Sequence, residues 1–333
     1  MSAPTVSLVL GSGGARGYAH IGAIEELLAQ GYDIRCIAGS SMGALIGGVY
    51  AAGKLDEYRD WVLSLQRFDV LRMLDWTFRG GGLIKGDRII DKLRELIGDV
   101  LIEDLPLSYT AVAVDLSAQR EVWFSRGLLF DAIRASIAIP AVFRPHHYQG
   151  RMLVDGGLLN PVPVTPTLRD LTDCTIAVDV NAAAEMHRAG SQPEAVPNTP
   201  VAEGGSEVAN KDSDDEANSP VVLPATALQV ADSKRSGYRQ ALAKFYRRLR
   251  RKHDPVPAPT GDPGLLEAFA LSLDAVQGTL TRFRLAAQPP DLLISIPRTA
   301  CAFYEFHRAA ELVELGRERT REALKSFQAR RRS

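Results

Sequence analysis

Ser41 lies at the centre of Gly39-Ser-Ser-Met-Gly43, and a serine in this G-x-S-x-G pattern is a candidate nucleophile. The apolar residues 34–38 precede the pattern and the small residues 44–52 follow it, which predicts a strand, a sharp turn and a helix. In such a turn the two glycines leave space where a Cβ would collide. The pattern also occurs in ordinary glycine-rich turns, but the flanking strand and helix favour the nucleophile. Ser40 is the competing serine, and the symmetric placement of the glycines favours Ser41.

A second glycine-rich stretch, Gly11-Ser-Gly-Gly-Ala-Arg-Gly17, joins a predicted strand at 5–10 to a predicted helix at 18–29. A loop in this position offers free backbone amides to an anion. A dinucleotide-binding loop would need the pattern G-x-G-x-x-G and an acidic residue after the second strand. Here Arg16 takes the place of the third glycine, and the second strand ends in the serine pattern. The lysine of a phosphate-binding loop is absent as well, so the sequence favours an oxyanion hole.

Within this loop we predict that Gly13 and Gly14 donate their amides to the oxyanion of a tetrahedral intermediate. Gly11 opens the loop and is assigned to the same site. Arg16 is assigned there too, either as a source of positive potential or as an anchor of the loop. A merely tight turn would account for one glycine better than for four.

Asp155 is the candidate partner of the serine. It comes at the end of a predicted strand, in Val154-Asp-Gly-Gly157, so it should lie at the carboxyl edge of the sheet beside Ser41. A lone Asp-Gly is usually a turn. Asp155 is a candidate catalytic residue only because the sequence also offers a nucleophilic serine for it to partner. Asp115 and Asp179 also end predicted strands and are the rival carboxylates.

A serine hydrolase normally uses a histidine base, and the sequence offers no obvious one. Two histidines, at 146 and 147, are predicted to lie in a polar loop, and two fall within or beside the polar segment after residue 181. Only His307 comes late enough in the chain for the usual hydrolase order, but it is predicted to lie within a helix. The sequence therefore favours a Ser–Asp dyad, in which the carboxylate takes the serine proton directly. The six histidines are His20, His146, His147, His187, His253 and His307.

Hydrophobic periodicity supplies the elements that must hold these residues. The opening order is strand, glycine loop, helix, strand, serine turn and helix, which predicts a mainly parallel sheet with helices on both faces. Strands are predicted at 5–10, 34–38, 109–116, 121–124, 152–154, 175–180 and 292–296. Helices are predicted at 18–29, 44–52, 55–65, 68–76, 86–97, 128–137, 264–287 and 303–327, with a glycine-rich break at 80–83.

Composition indicates a globular protein that resides in a reducing compartment. The 333 residues are 46% hydrophobic and carry a net charge of -1, so the chain as a whole has no signature of a polyanion-binding protein, and no nucleic-acid partner is predicted. The three cysteines, at 36, 174 and 301, are far apart and show neither a disulfide framework nor metal-ligand spacing. No metal or cofactor is predicted. No signal peptide or membrane span is recognised, so we expect a cytoplasmic protein, with peripheral contact to the inner face of the membrane as an extension of that expectation.

The sequence divides into a catalytic core at 1–181, an acidic, disordered insertion at 182–220, a basic helix with a proline-rich link at 221–260, and C-terminal elements at 261–333 that complete the core. Residues 234–252 place arginines and lysines around aromatic and leucine residues, as in a basic amphipathic helix. Three interpretations stay open: a solvated surface helix, a patch that docks on anionic lipid, or a partner of the acidic insertion.

The glycine loop, the serine pattern and Asp155-Gly-Gly157, in this order, resemble the three signatures of the patatin-like phospholipases. The resemblance spans about residues 5–181 and resumes over 291–316, and residues 182–260 are not part of it. It is closer to bacterial members than to plant storage proteins, because of Ser-Ser-Met-Gly in the elbow and the segment Phe306-His-Arg-Ala309.

This resemblance implies a three-layer α/β/α fold and lipid acyl hydrolase activity, without a metal ion. It implies Ser41 as nucleophile, Asp155 as base and the Gly13–Gly14 region as oxyanion hole. The expected substrate is a lipid or another acyl ester. The alternatives from other classes are a catalytically weak scaffold or regulator of the same fold at a membrane surface, and, less favoured, a nucleotide-binding protein that uses the glycine loop.

Overall fold

The computed structural model describes residues 3–66, 87–140, 142–183 and 265–332. The helix predicted at 68–76 and the glycine-rich break at 80–83 lie outside these residues. So do nearly all of the predicted acidic insertion at 182–220 and the whole of the basic helix and link at 221–260.

The described residues form eight strands and seven α-helices, and their bounds follow. The strands are β1 (Thr5–Leu10), β2 (Asp33–Ser40), β3 (Ser108–Asp115), β4 (Arg120–Phe124), β5 (His146–Tyr148), β6 (Arg151–Asp155), β7 (Cys174–Ala182) and β8 (Leu292–Pro297). The helices are α1 (Ala19–Ala29), α2 (Met42–Ala51), α3 (Leu55–Ser64), α4 (Asp87–Ile97), α5 (Leu129–Ser136), α6 (Leu265–Ala287) and α7 (Ala309–Arg332).

One mixed sheet unites all eight of these strands. Its main part is parallel, in the order β8-β7-β1-β2-β3. The three short strands are antiparallel: β4 and β6 both pair with β3, and β5 pairs with β6. The prediction of a mainly parallel sheet is confirmed, as is the predicted hairpin-like pair β3–β4.

The register on β3 brings the two candidate catalytic segments together. Ser40, the last residue of β2, pairs with Val112, and Asp155, the last residue of β6, pairs with Ala113. β4 pairs with the same two residues of β3 from the opposite edge. β2 and β6 therefore meet along one edge of β3, end to end, and Asp155 lies beside the turn that follows β2.

Helices cover both faces of the sheet. Leu8 and Leu10 of β1 face the larger core, which α1, α2, α5 and α7 complete. Val9 points to the opposite face, because successive side chains of a strand alternate. There it packs in a smaller cluster that includes Leu285 of α6, together with Val162, Val164 and Ala177. The predicted three-layer α/β/α arrangement is confirmed.

Two predicted elements differ from the structure. The C-terminal helix begins at Ala309 and not at 303: Phe303 lies against the glycine loop, where its carbonyl oxygen accepts a hydrogen bond from the Ala15 amide. The predicted polar loop at 146–147 is wrong: these residues form β5. The turn after it, Gln149-Gly150, has positive φ at both residues, as a tight two-residue hairpin requires.

All three cysteines are buried, and none of them forms a disulfide. Among the described helices, none combines the length and the apolar character needed to cross a bilayer.

Candidate active site

Ser41 occupies a strained turn between β2 and α2. Its backbone has φ 55° and ψ −122°, outside the regions that non-glycine residues favour, at a cost of about 1–3 kcal/mol. The predicted role of the two flanking glycines in making room for this turn is visible in the contacts. A Cβ at Gly39 would lie 2.5 Å from the Ala44 nitrogen, and one at Gly43 would lie 2.0 Å from the Leu10 carbonyl oxygen. The turn therefore has the geometry of a nucleophile elbow.

Asp155 is directly hydrogen-bonded to Ser41. Ser41 Oγ donates to Asp155 Oδ2 at 2.5 Å, and the Gly157 amide donates to the other carboxylate oxygen at 2.7 Å. Both side chains are almost fully buried. Burial raises the pKa of Asp155 to about 7, and the two hydrogen bonds oppose that rise. A carboxylate with a pKa near neutrality is suited to take up and return a proton.

The glycine loop lies beside both of these residues. The Gly11 carbonyl oxygen is 2.9 Å from where a Cβ of Gly43 would be, and Ser12 Oγ is 2.8 Å from where one of Gly157 would be. None of the described residues accepts a hydrogen bond from the amide of Gly13 or of Gly14. Gly14 has φ +55°, a conformation that glycine adopts at little cost. Two unengaged amides next to a serine–aspartate pair are what an oxyanion hole requires.

Known proteins are similar to this chain. A family model for patatin-like phospholipases matches residues 8–168. An uncharacterised NTE family protein of Mycobacterium tuberculosis is 43% identical over 358 residues, which cover 98% of this chain and 93% of the relative. The chain belongs to the patatin-like phospholipase family. Its matched region contains the glycine loop, Ser41 and Asp155, and ends before α6.

Two more distant matches cover smaller shares of the other protein. The lysophospholipase nte1 of Emericella nidulans is 31% identical over 185 residues, which cover 53% of this chain and 12% of that protein. The crystal structure of VipD from Legionella pneumophila aligns with a TM-score of 0.43 and 13% identity, over 98% of this chain and 67% of that one.

Two of the four residues assigned to the oxyanion hole of this patatin-like chain are engaged elsewhere. The Gly11 amide donates to the Val178 carbonyl oxygen at 3.0 Å, as part of the sheet. Arg16 is almost fully buried, and its guanidinium donates to the Gly13 carbonyl oxygen, the Arg298 carbonyl oxygen and Asp274 at 3.2, 3.0 and 2.7 Å. Arg16 thus anchors the loop, which was one of its two predicted roles. Gly13 and Gly14 are the members of the set whose amides are available.

The rival carboxylates hold turns. Asp115 accepts hydrogen bonds from the amides of Ser117 and Ala118, and Asp179 accepts one from the amide of Asn181. Among the hydrogen bonds of the described residues, neither carboxylate contacts Ser41. Asp155 is the one that the fold brings to the elbow.

No histidine in the described part of the chain hydrogen-bonds Ser41 or Asp155. His20 is buried under the glycine loop, where its Nε2 bonds the Gly11 carbonyl oxygen at 2.7 Å and burial lowers its pKa to about 4. His146 Nε2 lies 3.7 Å from Asp131, and His307 is in a 3₁₀ turn before α7. Of these groups, Asp155 is the one that hydrogen-bonds Ser41 Oγ, and none of the four described histidines does. His187 and His253 lie outside the described residues.

Sequence reasoning missed Ser136, the last residue of α5. Its hydroxyl accepts a hydrogen bond from the Ser41 amide at 2.9 Å and donates one to the Val112 carbonyl oxygen at 2.6 Å. It therefore links the strained elbow to β3. The one available signal was a hydroxyl at the end of an otherwise apolar helical run, which is too common a feature to single out a residue.

Proposed function

We propose that this chain is a lipid acyl hydrolase that works through a Ser41–Asp155 dyad and an acyl-enzyme. The observation that carries the proposal is the hydrogen bond from Ser41 Oγ to a buried carboxylate in a strained elbow. Membership of the patatin-like phospholipases supports a lipid ester as substrate, and a lysophospholipase among the relatives supports it further.

The first half-reaction transfers the acyl group to the enzyme. Asp155 Oδ2 takes the proton of Ser41 Oγ as the oxygen attacks the carbonyl carbon of the ester. The carbonyl oxygen becomes an oxyanion and accepts hydrogen bonds from Gly13 and Gly14. When the C–O bond to the alcohol breaks, the leaving oxygen takes the proton from Asp155, and an ester of Ser41 remains.

The second half-reaction returns the enzyme to its starting state. A water molecule gives a proton to Asp155 and attacks the acyl-serine, through a second oxyanion in the same place. Collapse of this intermediate releases the fatty acid, and Ser41 Oγ recovers its proton from Asp155. One group thus acts as base and then as acid in each half, which a pKa near 7 favours.

A buried carboxylate suits this role without a histidine. Water would hold an exposed aspartate at a pKa near 3.8, where it is a weak base, whereas burial makes Asp155 more basic. The Gly157 amide fixes one carboxylate oxygen and leaves the other directed at Ser41. Orientation and basicity thus come from the turn that follows β6.

The direct test is labelling with a fluorophosphonate probe, together with hydrolysis of a panel of phospholipids, lysophospholipids and short-chain nitrophenyl esters. Ser41→Ala should lose both labelling and hydrolysis, and Ser40→Ala, the adjacent serine, should keep labelling at Ser41. Undiminished labelling of Ser41→Ala would refute the assignment. If the wild-type protein neither labels nor hydrolyses any member of the panel, the scaffold or regulator alternative is favoured instead.

We also propose peripheral contact with anionic membranes through residues 234–252, whose sequence alternates basic with aromatic and leucine residues. Co-sedimentation with vesicles of anionic and of neutral lipids, at rising salt, tests this. Binding by charge must weaken as ionic strength rises. Replacing Arg247, Arg248, Arg250 and Arg251 by Gln should release the protein, whereas the same change at residues 330–332 should not. Salt-independent binding, or none, would refute the proposal.

A further inference from the structure

Helix α6 buries the polar side chains of Gln277 and Thr281 beside Leu273, and leaves three large apolar side chains exposed, although most helices bury their apolar side. Leu271, Val276 and Phe283 are 54%, 51% and 71% exposed. On the opposite side Gln277 is only 2% exposed, and Asp274 pairs with the buried Arg16. A helix that takes polar groups into the protein needs partners for them, and here the partners belong to the glycine loop.

Gln277 and Asn181 together hold the residue before Gly13. Gln277 Oε1 accepts hydrogen bonds from Ser12 Oγ at 3.0 Å and from Asn181 Nδ2 at 3.1 Å. Asn181 Nδ2 also donates to the Ser12 carbonyl oxygen at 2.9 Å. The side chain and the carbonyl of Ser12 are thus tied to two buried amides, one on α6 and one at the end of β7.

Asp274 and Arg16 hold the next peptide group in the same way. The Arg16 guanidinium donates to the Gly13 carbonyl oxygen at 3.2 Å and to Asp274 at 2.7 Å. Asp274 lies about one helical turn before Gln277, so the two residues project from the same side of α6. The carbonyls of two consecutive peptide groups, Ser12–Gly13 and Gly13–Gly14, therefore each have a fixed donor.

These two peptide groups carry the amides assigned to the oxyanion hole. A trans peptide is planar, and its N–H points opposite to its C=O. Fixing the Ser12 carbonyl therefore fixes the direction of the Gly13 N–H, and fixing the Gly13 carbonyl fixes that of the Gly14 N–H. Hydrogen bonding to a carbonyl also polarises its peptide group and strengthens its N–H as a donor.

We propose that Gln277, Asn181 and Asp274 are positioning residues that aim the Gly13 and Gly14 amides at the oxyanion. This inference rests on the proposed hydrolase function. All three residues lie beyond the region that the family model matches. They support the oxyanion hole from the far side of the loop and do not touch the substrate.

The test compares Gln277→Ala and Asp274→Asn with wild type, on a nitrophenyl ester and on the matching thionoester. Loss of aim should lower kcat for the ester by about 10–100-fold with little change in KM, because removing one oxyanion donor outright costs about 10²–10³-fold. Sulfur is a weaker hydrogen-bond acceptor than oxygen, so thionoester turnover should fall less. The ester-to-thionoester ratio of kcat should therefore drop in both variants, which a merely structural role would not produce.

Thr281→Val is the matched control on the same helix. Thr281 is buried, and its hydroxyl has no hydrogen-bond partner among the described residues, so this change should leave kcat and the ratio unchanged. An unchanged ratio in both Gln277→Ala and Asp274→Asn would overturn the inference while Ser41-dependent turnover stands. Absence of Ser41-dependent turnover in wild type would instead overturn the proposed function. Melting temperatures identify a variant that fails to fold. If Gln277→Ala fails, the ratio measured for the milder Asp274→Asn decides whether the inference stands.

Discussion

The layer formed by α1 and α7 and the layer formed by α6 are stabilised in opposite ways. The first belongs to the large apolar core, and its two helices touch through glycines: a Cβ at Gly22 would lie 1.8 Å from the Val313 carbonyl oxygen, and one at Gly316 would lie 2.0 Å from the Ala19 carbonyl oxygen. Ion pairs such as Arg321–Glu26 also join the two helices. α6 instead binds the glycine loop through polar side chains, with Gln277 bonded to Ser12 and Asp274 to Arg16.

Because of this difference, the α1–α7 layer mainly sets the stability of the fold, whereas the hydrogen bonds of α6 set the geometry of the site. Apolar burial is the largest favourable term in folding but is non-directional, so the α1–α7 layer holds the fold without fixing any particular atom. Hydrogen bonds contribute only about 0.5–1.5 kcal/mol each on balance, yet they define direction to within narrow limits. We therefore expect changes in the α1–α7 layer to alter the melting temperature, and changes around the site to alter kcat.

Asp155→Asn should have the largest effect on kcat and should separate the effect on kcat most clearly from the effect on stability. The amide cannot take the proton of Ser41, so kcat should fall by about 10²–10⁴-fold, the usual contribution of a positioned base. Stability should not fall with it, because the variant no longer buries an ionisable carboxyl. Ester hydrolysis and thermal unfolding of the same preparations measure both. Near-normal turnover of Asp155→Asn combined with loss in His307→Ala would replace the dyad with a histidine mechanism.

The pH dependence of these quantities follows from the same group. In wild type, kcat/KM should rise as pH passes through about 7, where Asp155 loses its proton. Because the folded state raises this pKa from 3.8, the stability that Asp155 contributes is full below about pH 4 and is lost as pH rises through about 7. Between about pH 4 and 7 the melting temperature of wild type should therefore fall relative to that of Asp155→Asn. A constant difference across this range would contradict the raised pKa.

Gly22→Ala tests the other side of the comparison. The new methyl group would meet the Val313 backbone, which cannot move without shifting α7, so we expect a loss of about 1–3 kcal/mol or more and a melting temperature lower by several degrees. The kcat per folded molecule, counted by fluorophosphonate labelling, should stay within about twofold of wild type. Gly278→Ala on α6 is the control, since a Cβ there meets nothing within 4 Å. A large fall in kcat for Gly22→Ala would show that the α1–α7 layer also sets the site.

The same division explains how much of the molecule could be predicted from its sequence. The elbow, the glycine loop and Asp155-Gly-Gly157 are local patterns, since each is a short run of residue types that is recognisable without knowing what packs against it. The positions of most strands and helices could be predicted from hydrophobic periodicity, which is also a local pattern. These patterns led to the fold and to the residues that the structure brings together.

The supports of the site could not be predicted, because their partners are far away in sequence. Gln277 lies 265 residues from Ser12, and Ser136 lies 95 residues from Ser41. The buried polar side chains of α6 were not predicted either, because hydrophobic periodicity places the polar side of a helix in solvent. A helix that serves a loop of backbone amides breaks that rule, since peptide carbonyls need polar partners.

Ser136→Ala is the smallest and most demanding test, because Ser136 lies on α5, which packs in the large apolar core, while its hydroxyl contacts the Ser41 amide. Its loss leaves the buried Ser41 amide without an acceptor, at about 1–3 kcal/mol, and frees a strained elbow. We expect both a melting temperature lower by a few degrees and a kcat lower by roughly tenfold, which is 1.4 kcal/mol of activation free energy. Thr320→Val, which removes a buried hydroxyl of α7 that has no partner among the described residues, should change neither. If Ser136→Ala lowered stability but left kcat unchanged, the elbow would keep its geometry without this hydrogen bond. The strained backbone of Ser41 would then be held by the close packing of backbone around Gly39 and Gly43 and by the start of α2.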